Sequence, residues 1–409
     1  MVPFEADSTP RKTKSPDILP SLVSVIPFLW GQKGHMYGYH LSVGRAARRL
    51  GWKHFAAIAT TEGFVDLPEG WEASLETDSL ETPGINKLLV APLLFGICRF
   101  ARSISKYLDR LDSLDQRPKI LFLERFNPYQ LFSVAVSTCV VRRRNLFIWL
   151  LFRHRPDANN RHKYIYLALI RIISRRYGEQ FHLLTDSELL KKSLSPFFRL
   201  PVAVVPVPHT YSKSTQFRPK PSKEIICWWA GPPREEKGWR VIRNIMSLTV
   251  AGANDILLVA AKSSGLVARP DGVKLALIDD ALSPSEYARW LFEADILLLP
   301  YNSNFYREET SGIFVEAIVA GKFPLVSQDT WMAFELQKSG LEELIMDWHN
   351  PGLITLITEI PKRNDLRRKI DLMRDKYSAY HNEAVYASTM AGLYEYMNTL
   401  PQDQLSTTS

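Results

Sequence analysis

Residues 295–328, DILLLPYNSNFYREETSGIFVEAIVAGKFPLVSQ, constrain the fold of this chain more than any other stretch. Residues 295–300 are a short apolar run, the kind buried on both faces of a parallel sheet. A polar loop covers 301–311 and ends on Gly312. Residues 313–320 space their apolar side chains as a helix does, and Gly321 and Pro324 stop it. Residues 325–327 read as the next strand. Such a unit puts a loop and a helix N-terminus at the carboxyl ends of parallel strands. Open α/β sheets take their ligands there, and the helix end favours anions.

Two carboxylates bracket the turn, Glu308 in the loop and Glu316 in the helix, with seven residues between them. Both are expected to face one pocket floored by the backbone N–H groups around Ser311, Gly312 and Ile313. A diphosphate suits those amides, and carboxylates, which only accept when ionised, suit hydroxyls. A ligand with phosphates in the middle and hydroxyls at both ends is a nucleotide sugar. The plain alternative is a solvated Glu308 and a Glu316 that merely favours the helix start, since charges are mostly surface features.

The spacing Glu308-x7-Glu316, the Ser311-Gly312 turn and the run Glu316-Ala317-x3-Gly321-x2-Pro324 closely resemble the signature of the retaining GT-B glycosyltransferases of family four. The resemblance implies an α/β fold of two Rossmann-like domains facing a cleft, with a C-terminal helix crossing back to the N-terminal domain. It puts Glu308 close to the donor hexose, Glu316 on the ribose hydroxyls, and Gly312 and Ile313 on the diphosphate. It implies hexosyl transfer from a UDP- or GDP-type nucleotide sugar to a glycan or lipid-linked acceptor, with retention at the anomeric carbon. No metal and no cofactor beyond the donor substrate are implied.

At 409 residues the chain is too long for one ordinary core, and two domains are expected. Cys98, Cys139 and Cys227 are scattered and odd in number, which suggests reduced thiols in a cytoplasmic protein and no metal spacing. The N-terminus has no apolar signal core, and the longest apolar run, 88–98, is interrupted by Pro92 and too short to span a bilayer. Net charge is +8 but uneven: residues 1–200 carry 29 Lys+Arg against 18 Asp+Glu. The basic half is suited to an anionic partner such as a phospholipid surface, a lipid-diphosphate, an acidic glycan or nucleic acid, or it is simply a solvated basic surface.

Residues 1–20 read as a disordered arm and 21–206 as the N-terminal, acceptor-side domain. Its first strand is 21–28. Gly31, Gly34 and Gly38 follow, then a helix over 39–50. This resembles the first loop of a GT-B N-terminal domain, near the donor phosphate and the acceptor, and makes Gly34 and His35 acceptor-side candidates. Residues 55–60 are a strand, 62–84 are acidic and turn-rich, and 86–111 form an amphipathic helix or two broken at Pro92. That helix mixes Leu93, Leu94, Ile97 and Phe100 with Arg99, Arg102 and Lys106. It suits either a core face or peripheral contact with an anionic membrane, as in families resembling this one. Strands at 119–124 and 146–152 flank a helix at 128–140, an alternation that argues for a doubly wound sheet. Arg153-His154-Arg155 ends the last of these strands. Family members often place a His here, pointing to the donor hexose, so His154 is the candidate. Basic residues and aromatics mix over 142–176, but no nucleic-acid-binding module is legible, and three of the aromatics lie in core-like runs.

Strands at 181–185 and 202–207 enclose a helix at 187–194. Residues 207–222, rich in Pro, Ser and Lys, are the linker. The nucleotide-sugar domain covers 223–378, a crossover helix 379–400 and a tail 401–409. The second domain opens with a strand at 224–230, the loop Gly231 to Gly238 and a helix at 239–250. Arg234 and Lys237 are placed to neutralise a diphosphate. Gly231 and Glu236-Lys237-Gly238 match the family pattern, but Pro232 holds the usual place of its arginine, for which Arg234 would substitute from two residues along. Further strands are expected at 255–260 and 274–278, and helices at 283–294, 331–336, 341–345, 365–377 and 382–400. Arg234, Lys237 and the turn amides would stabilise the leaving diphosphate. The family has no settled enzymic nucleophile, so Glu308 is assigned neither as nucleophile nor as base. The rivals are an epimerase or inverting transferase on the same fold, against which Glu308-x7-Glu316 argues, and a GT-B subunit that binds donor or partner without turnover.

Overall fold

The computed structural model of the protein describes residues 19–29, 31–32, 35–76, 90–140, 143, 145–156, 162–210 and 224–399. The tail at 401–409, Gly34 and nearly all of the arm at 1–20 lie outside the described residues.

The first half builds one seven-stranded sheet from β1 (Ser21–Ile26), β2 (Lys53–Ile58), β3 (Trp71–Ala73), β4 (Lys119–Glu124), β5 (Leu146–Phe152), β6 (Phe181–Thr185) and β7 (Val202–Val204). Its order is β3-β2-β1-β4-β5-β6-β7, and every neighbouring pair is parallel. Parallel strands need crossovers, which put helices on both faces. Hence β1, β4 and β5 are buried at every position and show no polar alternation. Successive side chains go to opposite cores. Val23, Leu121 and Ile148 pack with α2 (Val90–Leu114), α3 (Pro128–Cys139), α4 (Lys163–Tyr177) and α5 (Glu188–Phe198). Leu22, Ile120 and Trp149 pack with Tyr39, Val43 and Ala46 of α1 (His35–Arg49).

The second sheet has six strands: β8 (Ile225–Trp228), β9 (Ile256–Ala261), β10 (Lys274–Ile278), β11 (Ile296–Leu299), β12 (Phe323–Ser327) and β13 (Ile345–Met346). Its order is β10-β9-β8-β11-β12-β13, again parallel throughout. Around it lie α6 (Trp239–Ser247), α7 (Pro284–Glu293), α8 (Ser303–Tyr306), α9 (Gly312–Val319), α10 (Trp331–Lys338), α11 (Leu353–Glu359) and α12 (Asn364–Tyr380). The Ser283/Glu286 capping box starts α7. The last helix, α13 (Glu383–Thr399), leaves this domain and docks on the first. Tyr386, Ala387 and Met390 enter the core beneath α1, the Tyr39 and Tyr386 hydroxyls meet at 3.1 Å, and Glu383 pairs with Arg45 at 2.6 Å.

Four readings of the chain change. The acidic stretch after residue 62 contains the edge strand β3, held parallel to β2. The basic stretch at 142–176 contains α4, whose Tyr166 and Tyr177 are buried while Tyr164 is exposed. Pro92 does not break a helix. It is the third residue of α2, in the turn whose N–H groups have no intrahelical acceptor. The start of the linker is not free chain either. Val207 is buried and donates its N–H to His381 Nδ1, and the Thr210 hydroxyl donates to the His381 carbonyl. Among the described residues no helix is long and apolar enough to cross a membrane.

Candidate functional site

Both sheets reverse their winding direction at one crevice, between β1 and β4 in the first and between β8 and β11 in the second. Chain leaving strands on either side of such a reversal splays apart, which opens a crevice at the carboxyl ends. A cavity of about 800 Å³ lies between the domains, and residues at or after the carboxyl ends of β4, β5, β8, β9, β10 and β11 line it.

On the side of the second domain, Gly238 decides the local geometry. Its φ is +78°, and a Cβ there would stand 2.1 Å from the Pro300 carbonyl oxygen at the end of β11. Only glycine lets the short turn Glu235–Lys237 cross that strand end so closely. The turn delivers Lys237 into the cavity. Its ammonium lies beside Gly231 and 5.7 Å from the Tyr301 ring, and no carboxylate among the described residues is within ion-pair distance. Burial, then the neighbouring Arg234, pushes its pKa down to about 8. Arg234 also lines the cavity, paired with Glu236 at 3.3 Å, and Pro232 lies beside it.

The loop after β11 leads to α9. Ser311 caps this helix by accepting from the Phe314 N–H. Ser311, Gly312 and Ile313 line the cavity at the helix start, where N–H groups point outward without a carbonyl behind them. Glu316, one turn on, is 4 % exposed. Tyr287 of α7 donates its hydroxyl to Glu316 Oε2, and His209 Nε2 lies 3.5 Å from Oε1. Burial raises the Glu316 pKa to about 8 against the Tyr287 hydrogen bond. Ile278, Asp279, Asp280, Leu282 and Pro284 close this end of the cavity.

Glu308 is placed differently from the expectation. Its side chain does not line the cavity. It turns to Arg155 of the first domain, Oε1 to Nη1 3.2 Å, while its carbonyl accepts from the Ser187 hydroxyl at 2.6 Å. These contacts across the domain boundary fix the loop so that the next carboxylate, Glu309, faces inward and lines the cavity. Burial pushes the Glu309 pKa up to about 8.

The first domain contributes Met36, Gly38, Glu124, Arg125, Arg153, His154 and Arg155. Arg153 lies between Glu124, to which it is ion-paired, and Asp186 at 2.9 Å, with the Tyr39 ring 4.6 Å away. Burial opposes its charge, but the two carboxylates more than restore it. His154 is brought into the cavity; burial, then Arg125, lowers its pKa. His35 is the first residue of α1, four residues before the expected helix start, and its side chain lies outside the description.

The structure thus gathers His154, Gly231, Arg234, Lys237, Ser311, Gly312, Ile313 and Glu316 around one cavity and leaves Glu308 behind its wall. Sequence reasoning missed Arg125, Arg153, His209, Tyr287 and Glu309. Of these, Arg153 and Glu309 carried a signal, each as the neighbour of a candidate residue, His154 and Glu308.

No family model and no curated protein matches the sequence. Solved structures do. Trehalose-6-phosphate synthase OtsA is similar at 12% identity, over 93% of this chain and 99% of that one, with a TM-score of 0.65. Sucrose-phosphate synthase from Thermosynechococcus elongatus gives 15% identity, 92% and 99% coverage and a TM-score of 0.61. HepE from Anabaena, in complex with UDP and glucose, gives 10% identity, 92% and 100% coverage and a TM-score of 0.56. Two parallel-sheet α/β domains, matched over nearly the full length of these proteins, give this chain the GT-B fold.

Proposed function

We propose that the protein transfers a hexosyl group from a UDP- or GDP-type nucleotide sugar to a glycan or lipid-linked acceptor, with retention and without metal. The observation that carries this reading is the set of groups gathered around one cavity: a buried carboxyl at Glu316, helix-start amides at Gly312 and Ile313, and the ammonium of Lys237, which has no carboxylate within ion-pair distance among the described residues. Those groups match ribose hydroxyls and a diphosphate. The base then sits toward Ile278, Leu282 and Pro284, and the hexose toward Glu309 and His154. Lys237, Arg234 and the amides stabilise charge that develops on the leaving diphosphate. The resemblance of Glu308-x7-Glu316 to retaining enzymes supports retention, with Glu309 rather than Glu308 at the hexose.

The site is tested by thermal shift with UDP-, GDP- and ADP-sugars, without metal, on wild type and Glu316→Ala. One nucleotide class should raise the melting temperature of wild type alone, because ligands that bind only the native state stabilise it. No shift with any class would remove the donor reading. Turnover with the nucleotide sugar that binds separates an enzyme from a donor-binding subunit. The acceptor side of this reading includes peripheral contact with an anionic membrane on its cytoplasmic face. Exposed Leu94 and Phe95 beside Arg99 and Arg102 at the start of α2 support it. Vesicle flotation that leaves the protein with the soluble fraction would remove that part.

A further inference from the structure

We propose that Arg125, beside His154, forms an anion-binding subsite on the first-domain side of the cavity, which holds a phosphate or carboxylate carried by the acceptor. The inference rests on the donor reading above, because it assigns the remaining cation once Lys237 and Arg234 are given to the donor diphosphate.

Arg125 directly follows β4, at the point where the first sheet reverses its winding. Its φ is +57°, in the left-handed region that arginine rarely adopts. Strain of this kind persists where the surrounding fold or a function requires it. Here it aims the guanidinium into the cavity, 5.8 Å from the Phe28 ring. The other cavity arginines are neutralised: Arg153 by Glu124 and Asp186, Arg155 by Glu308, Arg234 by Glu236. Arg125 has no carboxylate within ion-pair distance among the described residues. His154, close enough for Arg125 to lower its pKa, has no hydrogen-bond partner there either. A guanidinium with no carboxylate beside it offers fork-like donors to an anion.

The arrangement therefore holds two uncompensated cations from opposite domains, Lys237 and Arg125. A donor diphosphate accounts for the first. A second anion, on the acceptor, accounts for the second. A sugar phosphate, a uronate and a lipid phosphate share this chemistry.

The test uses the full chain saturated with UDP or GDP, whichever binds, and reads melting temperature on titration with inorganic phosphate, glucose 6-phosphate, glucuronate or dodecyl phosphate. Wild type should show a second, saturable rise. A rise with dodecyl phosphate alone identifies a lipid source, and one with the soluble anions a sugar source. Arg125→Asn is the informative variant, because asparagine tolerates left-handed backbone and so preserves the fold. It should keep the nucleotide shift and weaken the second by at least tenfold, while Arg125→Lys retains part of it. Arg125→Gly should melt about 2 °C above wild type, through released strain, and bind no second anion. An unchanged second shift in Arg125→Asn would overturn the subsite, as would the absence of any second shift in wild type. Loss of the nucleotide shift in Arg125→Asn would assign Arg125 to the donor and overturn it too. If no nucleotide shifts wild type, the donor reading fails separately. Phosphate titration of Lys237→Ala against Lys237→Ala/Arg125→Asn then still decides: a shift lost in the double variant supports the subsite, and an equal shift or none overturns it.

Discussion

Arg153 and Lys237 are both cations at the carboxyl ends of parallel strands, one in each domain, and the fold treats them in opposite ways. Arg153 is closed in by Glu124, Asp186 and the Tyr39 ring, and His40 stands 3.4 Å from Glu124 behind it. Lys237 lies beside an aromatic ring and a glycine, and no carboxylate among the described residues is within ion-pair distance of it. The first arrangement uses charge to fix the ends of β4, β5 and β6 in one geometry. The second keeps a desolvated charge waiting for an anion from outside. A fold that leaves a cation uncompensated in one domain while neutralising its counterpart in the other marks the first as a place for ligand, since such groups cost stability when empty.

The comparison breaks most easily at Arg153. Arg153→Ala leaves Glu124 and Asp186 buried without their partner and should cost about 3–5 kcal/mol, the scale for breaking a buried ion pair. Denaturant unfolding measures it, and adding Glu124→Gln should recover part of the loss. Lys237→Ala should do the reverse. Its stability should stay level or rise, while affinity for the nucleoside diphosphate falls about a hundredfold, roughly 2.7 kcal/mol. Calorimetric titration gives the second number. If Lys237→Ala unfolds as readily as Arg153→Ala, the two cations are alike and the contrast is lost.

Glu316 sharpens the same contrast through pH. Its folded pKa is about 8 against an ordinary value of 4.5, raised by burial. Between those values the folded state holds a proton that the unfolded state releases. The stability that this group contributes is therefore fully present below about pH 4.5 and is lost as pH rises through about 8. Glu309 acts in the same direction. Glu316→Gln should match wild type in acid and exceed it by on the order of 1–2 kcal/mol near pH 9. Melting curves across that range check it, and a wild-type profile flat from pH 5 to 9 would count against the buried, protonated state.

How far such groups are legible in the sequence depends on how locally they are placed. Ser311, Gly312, Ile313 and Glu316 belong to one strand–loop–helix unit, so their relative placement follows from helix geometry alone. The strand bounds of β4, β5 and β10 are legible for a similar reason: β5 is an unbroken apolar run, and β4 and β10 are apolar runs whose flanking charges, Lys119, Glu124 and Lys274, mark the strand ends. Arg125 gives no warning, because nothing in the sequence marks an arginine for left-handed backbone. His209 sits in chain that composition reads as linker. The packing of residues 207–210 against His381, and of the His209 ring against Tyr39, brings it to Glu316. The α1 start at His35 and the edge strand β3 were lost among glycines and acidic residues that carry no period.

The smallest effect concerns Glu308 and Glu309, adjacent residues with opposite orientations. A loop has no period, so sequence cannot say which of the two faces inward. The answer is set by Arg155 and Ser187, which lie 153 and 121 residues away from Glu308 along the chain. The Glu308–Arg155 pair is partly exposed, with Arg155 42% accessible, and an ion pair of that kind contributes below about 1 kcal/mol. Glu308→Ala should therefore cost little stability, and the Ser187 hydrogen bond to its carbonyl should still hold the loop. Glu309→Gln should leave UDP or GDP binding unchanged and weaken the extra affinity that the hexose adds to the bare nucleotide. Calorimetry of nucleotide against nucleotide sugar, on both variants, gives four numbers. If the hexose increment falls only in Glu308→Ala, the loop turns the other way when donor is bound, and the motif residue rather than its neighbour meets the sugar.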